Sequence, residues 1–184
     1  MRRARAIVPL LLAVLAMAGL FAWLHAIGGP HVLRERYGTK GILVSLIVHW
    51  ALNLSPAGEI IPMGVANGAM WGPWIGAAVN WVGWTGASVT QYLLVRRLGV
   101  RYNLEARLAA RLERAPSWLR RLPVGHPSFQ IFGRFVPYVG MHLVNILSAV
   151  RRVPPGRFVL FAILGLGPPA VAMAAIGNGL VAVV

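Results

Sequence analysis

Residues 53–62 read Asn-Leu-Ser-Pro-Ala-Gly-Glu-Ile-Ile-Pro. They follow an apolar run, residues 41–52, that is too short to cross a bilayer alone, since a spanning helix needs roughly 20 residues. Pro56, Gly58 and Pro62 break helical hydrogen bonding, and Glu59 sits among apolar residues. At a lipid-exposed helix centre that carboxylate would cost about 2.5 to 3.5 kcal/mol. Irregular backbone survives at membrane depth only where protein buries it or where it lines a cavity, so a broken, re-entrant helical hairpin is expected over about 42–72.

The whole composition agrees with lipid as the solvent. Of 184 residues, 58% are hydrophobic and 12% charged, with a mean hydropathy of +0.67, too apolar for a soluble domain of this size. Eighteen basic residues face four acidic ones, Glu35, Glu59, Glu105 and Glu113, for a formal charge of +14. Anionic lipid headgroups account for that excess and for the apolar runs together. A nucleic-acid-binding domain would instead set its basic residues beside a soluble core. The chain has no Cys, and none of His25, His31, His49, His126 and His142 has a partner at HExxH spacing, so thiol chemistry and a catalytic metal are not expected.

Outward from this stretch, MRRAR and residues 7–27 read as an uncleaved N-terminal transmembrane helix, because the apolar run outlasts a signal segment ending at Ala16 or Ala18. A polar turn, Arg34 to Tyr37, closes an N-terminal unit of residues 1–40. Residues 74–95 read as a spanning helix. Residues 96–122 carry eight Arg; Leu104, Leu108 and Leu112 recur every fourth position against Arg107, Arg111 and Arg114. This fits an interfacial amphipathic helix capped by Asn103, or an ordinary solvated helix. A second broken stretch follows at about 127–150, then basic residues 151–157 and a final spanning helix over 158–184.

The two breaks echo each other. Glu59-Ile-Ile-Pro62-Met-Gly64 and Arg134-Phe-Val-Pro137-Tyr-Val-Gly140 both run charge, two apolar residues, proline, glycine. Full crossings by both would put the basic segments 96–122 and 151–157 on opposite sides, against the positive-inside rule. Re-entry by both puts the N-terminus and the two basic loops in the cytoplasm. Paired broken helices meeting near the midplane are a transporter's way of building a substrate site. The expected fold is therefore an all-α integral membrane protein with transmembrane helices and two opposed re-entrant hairpins.

Several side chains allow two readings. Glu59 is a functional carboxylate or a cap at a helix N-terminus. Arg134 offers a planar fork of donors to a phosphate, or it pairs structurally with Glu59. The two roles combine if protonation of Glu59 frees Arg134 for phosphate. Gly64, Gly68, Gly72 and Gly76 allow close helix packing or touch substrate directly, although Pro73 interrupts any single helix through them. Trp71, Trp74, Trp81 and Trp84 are interfacial anchors or packing groups. His49 and His142 are packing residues or proton relays, and Asn80, Gln91 and Asn145 line a polar path or bond across helices.

At SPAGEIIP (55–62), the Gly-rich stretch 64–99 that leads into the basic loop, RFVPYVGMHLVN (134–145), Phe158 and ILGLGPP (163–169), the sequence resembles the DedA-like, or VTT-domain, membrane proteins, also called the SNARE-associated Golgi protein family. The resemblance covers roughly residues 41–180 of a 41–184 membrane domain. It implies two opposed re-entrant hairpins and movement of lipid between leaflets, phospholipid scrambling in eukaryotes and polyprenyl-phosphate recycling in bacteria, the latter with proton coupling. It places Glu59 and Arg134, with their prolines Pro62 and Pro137, at the substrate site, and Asn145 at a position often filled by Asn. Bacterial carrier translocases often have a second arginine shortly after the proline, where this chain has His142.

The leading expectation is thus a lipid transporter or scramblase in a bacterial plasma membrane, without cofactor, with anionic-headgroup lipids as partners and self-association left open. The alternative is a non-transporting adaptor that binds anionic lipid or a protein through its basic segment. An intramembrane enzyme lacks support, because no GxSxG element occurs and the membrane segments hold one acid.

Overall fold

A computed structural model describes residues 30–54, 60–101, 123–136 and 140–183, with Gly19, Ala22 and Ala26. Among these, all regular structure is helical: α1 (Pro30–Leu52), α2 (Ile60–Arg101), α3 (Pro127–Phe132), a 3-10 turn (Gly133–Phe135), α4 (Gly140–Val150) and α5 (Pro155–Val183). The expected N-terminal helix, the amphipathic segment beyond Arg101, Glu59 and Pro137 lie outside the described residues.

Residues 34–37, expected as a turn, are helical in α1; the break falls at Gly38, with φ 47° and ψ −135°. Glycine alone takes that conformation without a steric penalty, so the helix breaks there and not at its polar neighbours.

α2 is two arms. At Gly72 (φ 81°, ψ 176°), just before Pro73, the chain folds back on itself. A Cβ on Gly76 would lie 2.6 Å from Asn67 O, and one on Gly64 would lie 3.2 Å from the Trp84 ring. The first arm, 60–71, also pairs antiparallel with the end of α1. Trp71 Nε1 donates to Ser45 Oγ at 2.9 Å, and Asn67 Nδ2 lies 3.3 Å from His49 Nδ1. Residues 41–52 and 60–71 are therefore an antiparallel helix pair, with Asn53 and Leu54 at its tip.

The second broken stretch folds likewise. Gln130 Nε2 donates to Ser148 Oγ at 2.6 Å and Arg134 Nη1 to Asn145 Oδ1 at 3.0 Å, so 127–135 runs antiparallel to 140–150. Pro127 occupies the first turn of α3, where a missing N–H costs nothing, and His126 Nδ1 accepts from Ser128 N at 3.2 Å.

α5 crosses the first arm of α2 at backbone contact. A Cβ on Gly68 would lie 2.5 Å from Ala174 Cα, and one on Gly177 would strike Val65 O. At the opposite end α5 joins the second arm through Tyr92, whose ring stacks on Phe158 at 4.3 Å. Tyr92 Oη donates to Val153 O and accepts from Arg96 Nη1, each at 2.5 Å. Tyr92→Phe leaves the stack but removes both hydrogen bonds, and unfolding in detergent should show a loss of about 1 kcal/mol. Unchanged stability would mean these bonds are not made.

Polarity runs inside out. Asn80, Ser88 and Gln91 of the second arm are buried, while Trp74 (78% exposed), Ile75, Trp81, Val82, Leu93 and Leu94 face outward. Among the described residues one helix is long and apolar enough to cross a membrane, residues 155–181, with mean hydropathy 2.1. Only 28% of its apolar window is buried, which is not how the core helix of a water-soluble protein sits. Residues 74–95 do form continuous helix, but inward-facing polar side chains lower their hydropathy.

Candidate functional site

The site begins with a cation in an apolar setting. Arg134, on the 3-10 turn, is 6% exposed. Its Nε donates to Gln130 O at 2.9 Å, and its Nη1 to Asn145 Oδ1 at 3.0 Å and Ser88 Oγ at 3.4 Å. The guanidinium carbon lies 5.2 Å from the Phe158 ring centroid. A Cβ at position 165 would sit 3.1 Å from Arg134 Cδ, so Gly165 makes room for the side chain. Nη2 has no hydrogen-bond partner among the described residues. Its described partners are all neutral, so they orient the charge without cancelling it.

Arg134 lines a cavity of about 400 Å³ whose other walls include Ile61, Trp84, Phe135, Met141, Pro168 and Met173. One fixed cation in an apolar wall suits an anionic group attached to a hydrocarbon.

Behind Arg134 the polar contacts continue. Asn145 Nδ2 donates to Gln91 Oε1 at 2.8 Å, and Gln91 Nε2 donates to Asn53 O at 2.8 Å and Leu54 O at 3.1 Å. His142 Nδ1 lies against the same amide. A second buried run joins His49, Asn67 and Asn80, ending on Gly64 O at 2.9 Å.

Of the residues the sequence singled out, Arg134, Asn145 and His142 come together. Pro62 is half-buried in the first turn of α2, where its absent N–H breaks no bond, and its neighbour Ile61 reaches the cavity. Glu59 and Pro137 fall outside the described residues. Ser88, Gln130, Ser148, Asn53 and Asn67 did not stand out in the sequence. A signal was available: Ser88 with Gln91, and Asn145 with Ser148, are polar pairs at i, i+3 within apolar helices, which share one face. Among the described residues no group of three His, Cys, Asp or Glu could hold a metal.

The family model of the VTT domain matches residues 58–179, which takes in Glu59, Arg134, Asn145 and most of α5. The chain belongs to the VTT-domain (DedA) family. An uncharacterized membrane protein, YhjE of Bacillus subtilis (strain 168), is 27% identical over 134 residues, covering 72% of this chain and 63% of the relative. The chain thus spans less than two thirds of that relative's length. No solved structure matches. With the VTT-domain match, this relative and the outward apolar faces, the protein is a membrane protein whose described regular structure is all helical.

Proposed function

We propose that this VTT-domain protein moves lipids with a phosphate headgroup, phospholipid or polyprenyl-phosphate, between leaflets, and that Arg134 is the headgroup ligand. The observation that carries this reading is a buried guanidinium, held by neutral partners, in the wall of an apolar cavity. The fork of Arg134 takes phosphate oxygens, and the apolar wall receives hydrocarbon at little desolvation cost. Glu59 is the competing carboxylate: ionised it pairs with Arg134, protonated it yields Arg134 to phosphate, which couples lipid movement to protons. In this reading both helix pairs are re-entrant and opposed in a bacterial plasma membrane. The N-terminus and basic loops are cytoplasmic. No bond is made or broken, so the protein is not an enzyme.

Leaflet exchange of a labelled anionic phospholipid and of polyprenyl phosphate in proteoliposomes tests it. Exchange by the unmodified protein and its loss in Glu59→Gln are expected. No exchange of either lipid would overturn the proposal in favour of the adaptor. A space-filling change separates the cavity from the charge: Ala172, exposed and on the cavity wall, replaced by Phe should slow exchange by roughly tenfold with the unfolding midpoint unchanged. Full activity in Ala172→Phe would mean the lipid does not use this cavity.

A further inference from the structure

Gln91 is bonded to both helix pairs, and counting protons at its amide determines how it is turned. Nε2 lies 2.8 Å from Asn53 O and 3.1 Å from Leu54 O, at the tip of the first pair. Oε1 lies 2.8 Å from Asn145 Nδ2, in the second pair. His142 Nδ1 lies within reach of both amide atoms, 2.9 Å from Nε2 and 3.1 Å from Oε1. An amide nitrogen has two hydrogens and its oxygen two lone pairs. The two carbonyls take both hydrogens, and Asn145 takes one lone pair. Every contact of the amide is matched donor to acceptor only when neutral His142 carries its proton on Nδ1 and donates it to Oε1. His142 Nε2, buried and without a partner among the described residues, is then the bare nitrogen.

We infer that Gln91 is a positioning residue that locks the tip of the first helix pair to the second and thereby holds Arg134, through Asn145, in place. The inference deepens the lipid-transport reading and rests on it for its functional consequence, but the lock itself does not depend on any lipid. Gln91 spans 38 residues of separation to Asn53 and 54 to Asn145. If either tip moves away, the amide loses partners on that side. Asn145 in turn supplies Arg134 Nη1 with its 3.0 Å contact.

The chain has no Cys, so nitroxides on Leu52→Cys and Leu143→Cys, both exposed positions, report the separation of the two helix pairs alone. The full chain in detergent should give a narrow distance distribution. Gln91→Met, which removes every amide bond, should broaden it. Gln91→Glu keeps an acceptor for Asn145 and His142 but sets oxygen against the Asn53 and Leu54 carbonyls. It should broaden the distances yet keep the Nδ1–H tautomer, read from ¹⁵N-histidine spectra with His142→Gln for assignment. Gln91→Met should lose that tautomer preference. Thr90→Val, whose hydroxyl among the described residues bonds Gly86 O in its own helix, should move neither readout. Lipid exchange should fall roughly tenfold in both Gln91 variants.

A narrow distribution in Gln91→Met overturns the lock. So does an Nε2–H tautomer in the unmodified protein, a measurement that needs no variant to fold. Loss of lipid exchange in the unmodified protein with both structural readouts as expected would instead overturn the transport reading and leave the lock standing.

Discussion

Arg134→Ala is expected to lower exchange of a labelled anionic phospholipid by roughly 30- to 150-fold, the equivalent of about 2–3 kcal/mol for a lost charge-assisted interaction. The side chain is the one described cation in the cavity wall, so nothing there replaces it. Arg134→Lys keeps the charge but loses the planar fork and the Nε bond to Gln130 O, and should fall between the two. Removal of the guanidinium also frees Asn145 Oδ1 and Ser88 Oγ in the interior, which costs stability. Exchange rates should therefore be compared on protein shown to be folded by its unfolding midpoint. Folded Arg134→Ala that exchanges lipid at the unmodified rate would remove Arg134 from the site.

Two glycines on one helix should respond to alanine with opposite signs. A Cβ on Gly177 would strike Val65 O and lie 2.8 Å from Val65 C and 2.9 Å from Ala69 N. These are backbone atoms of α2, so no rotamer change relieves the clash; α5 must move outward along the crossing. Gly177→Ala should destabilise by about 2–3 kcal/mol, the upper range for overpacking. Gly179→Ala meets nothing within 4 Å, and the gain in helix propensity should stabilise by up to about 1 kcal/mol. Unfolding of both in the same detergent decides it. Gly177→Ala as stable as the unmodified chain would mean that the helices do not cross this closely.

The separation of 41–52 from 60–71, and of 127–135 from 140–150, was legible because helix breaking and charge burial are local matters. Proline removes a donor and glycine loosens the chain wherever they stand, and a charge within an apolar run must find a partner. The inward residues of α2 were harder to see. Asn80 and Gln91 stand out as groups that line a polar path or bond across helices, but Asn67 and Ser88 look like scattered polar residues until the fold shows that all four are buried. Gly72-Pro73 was visible as an interruption, yet an interruption does not state its angle. The near-complete reversal there depends on Gly76 and Trp84 fitting against Asn67 and Gly64.

Composition and backbone chemistry act over a few residues, so an apolar, basic, helical chain with interruptions could be read from the residues alone. Who meets whom came from the packed fold: Arg134 with Ser88 46 residues away, and Gln91 with Asn53 and Asn145 at once. In an apolar surround a polar side chain takes any complementary partner within reach. Which partners come within reach is set by how closely glycine-lined helices cross, a property of the packed molecule that no single segment carries.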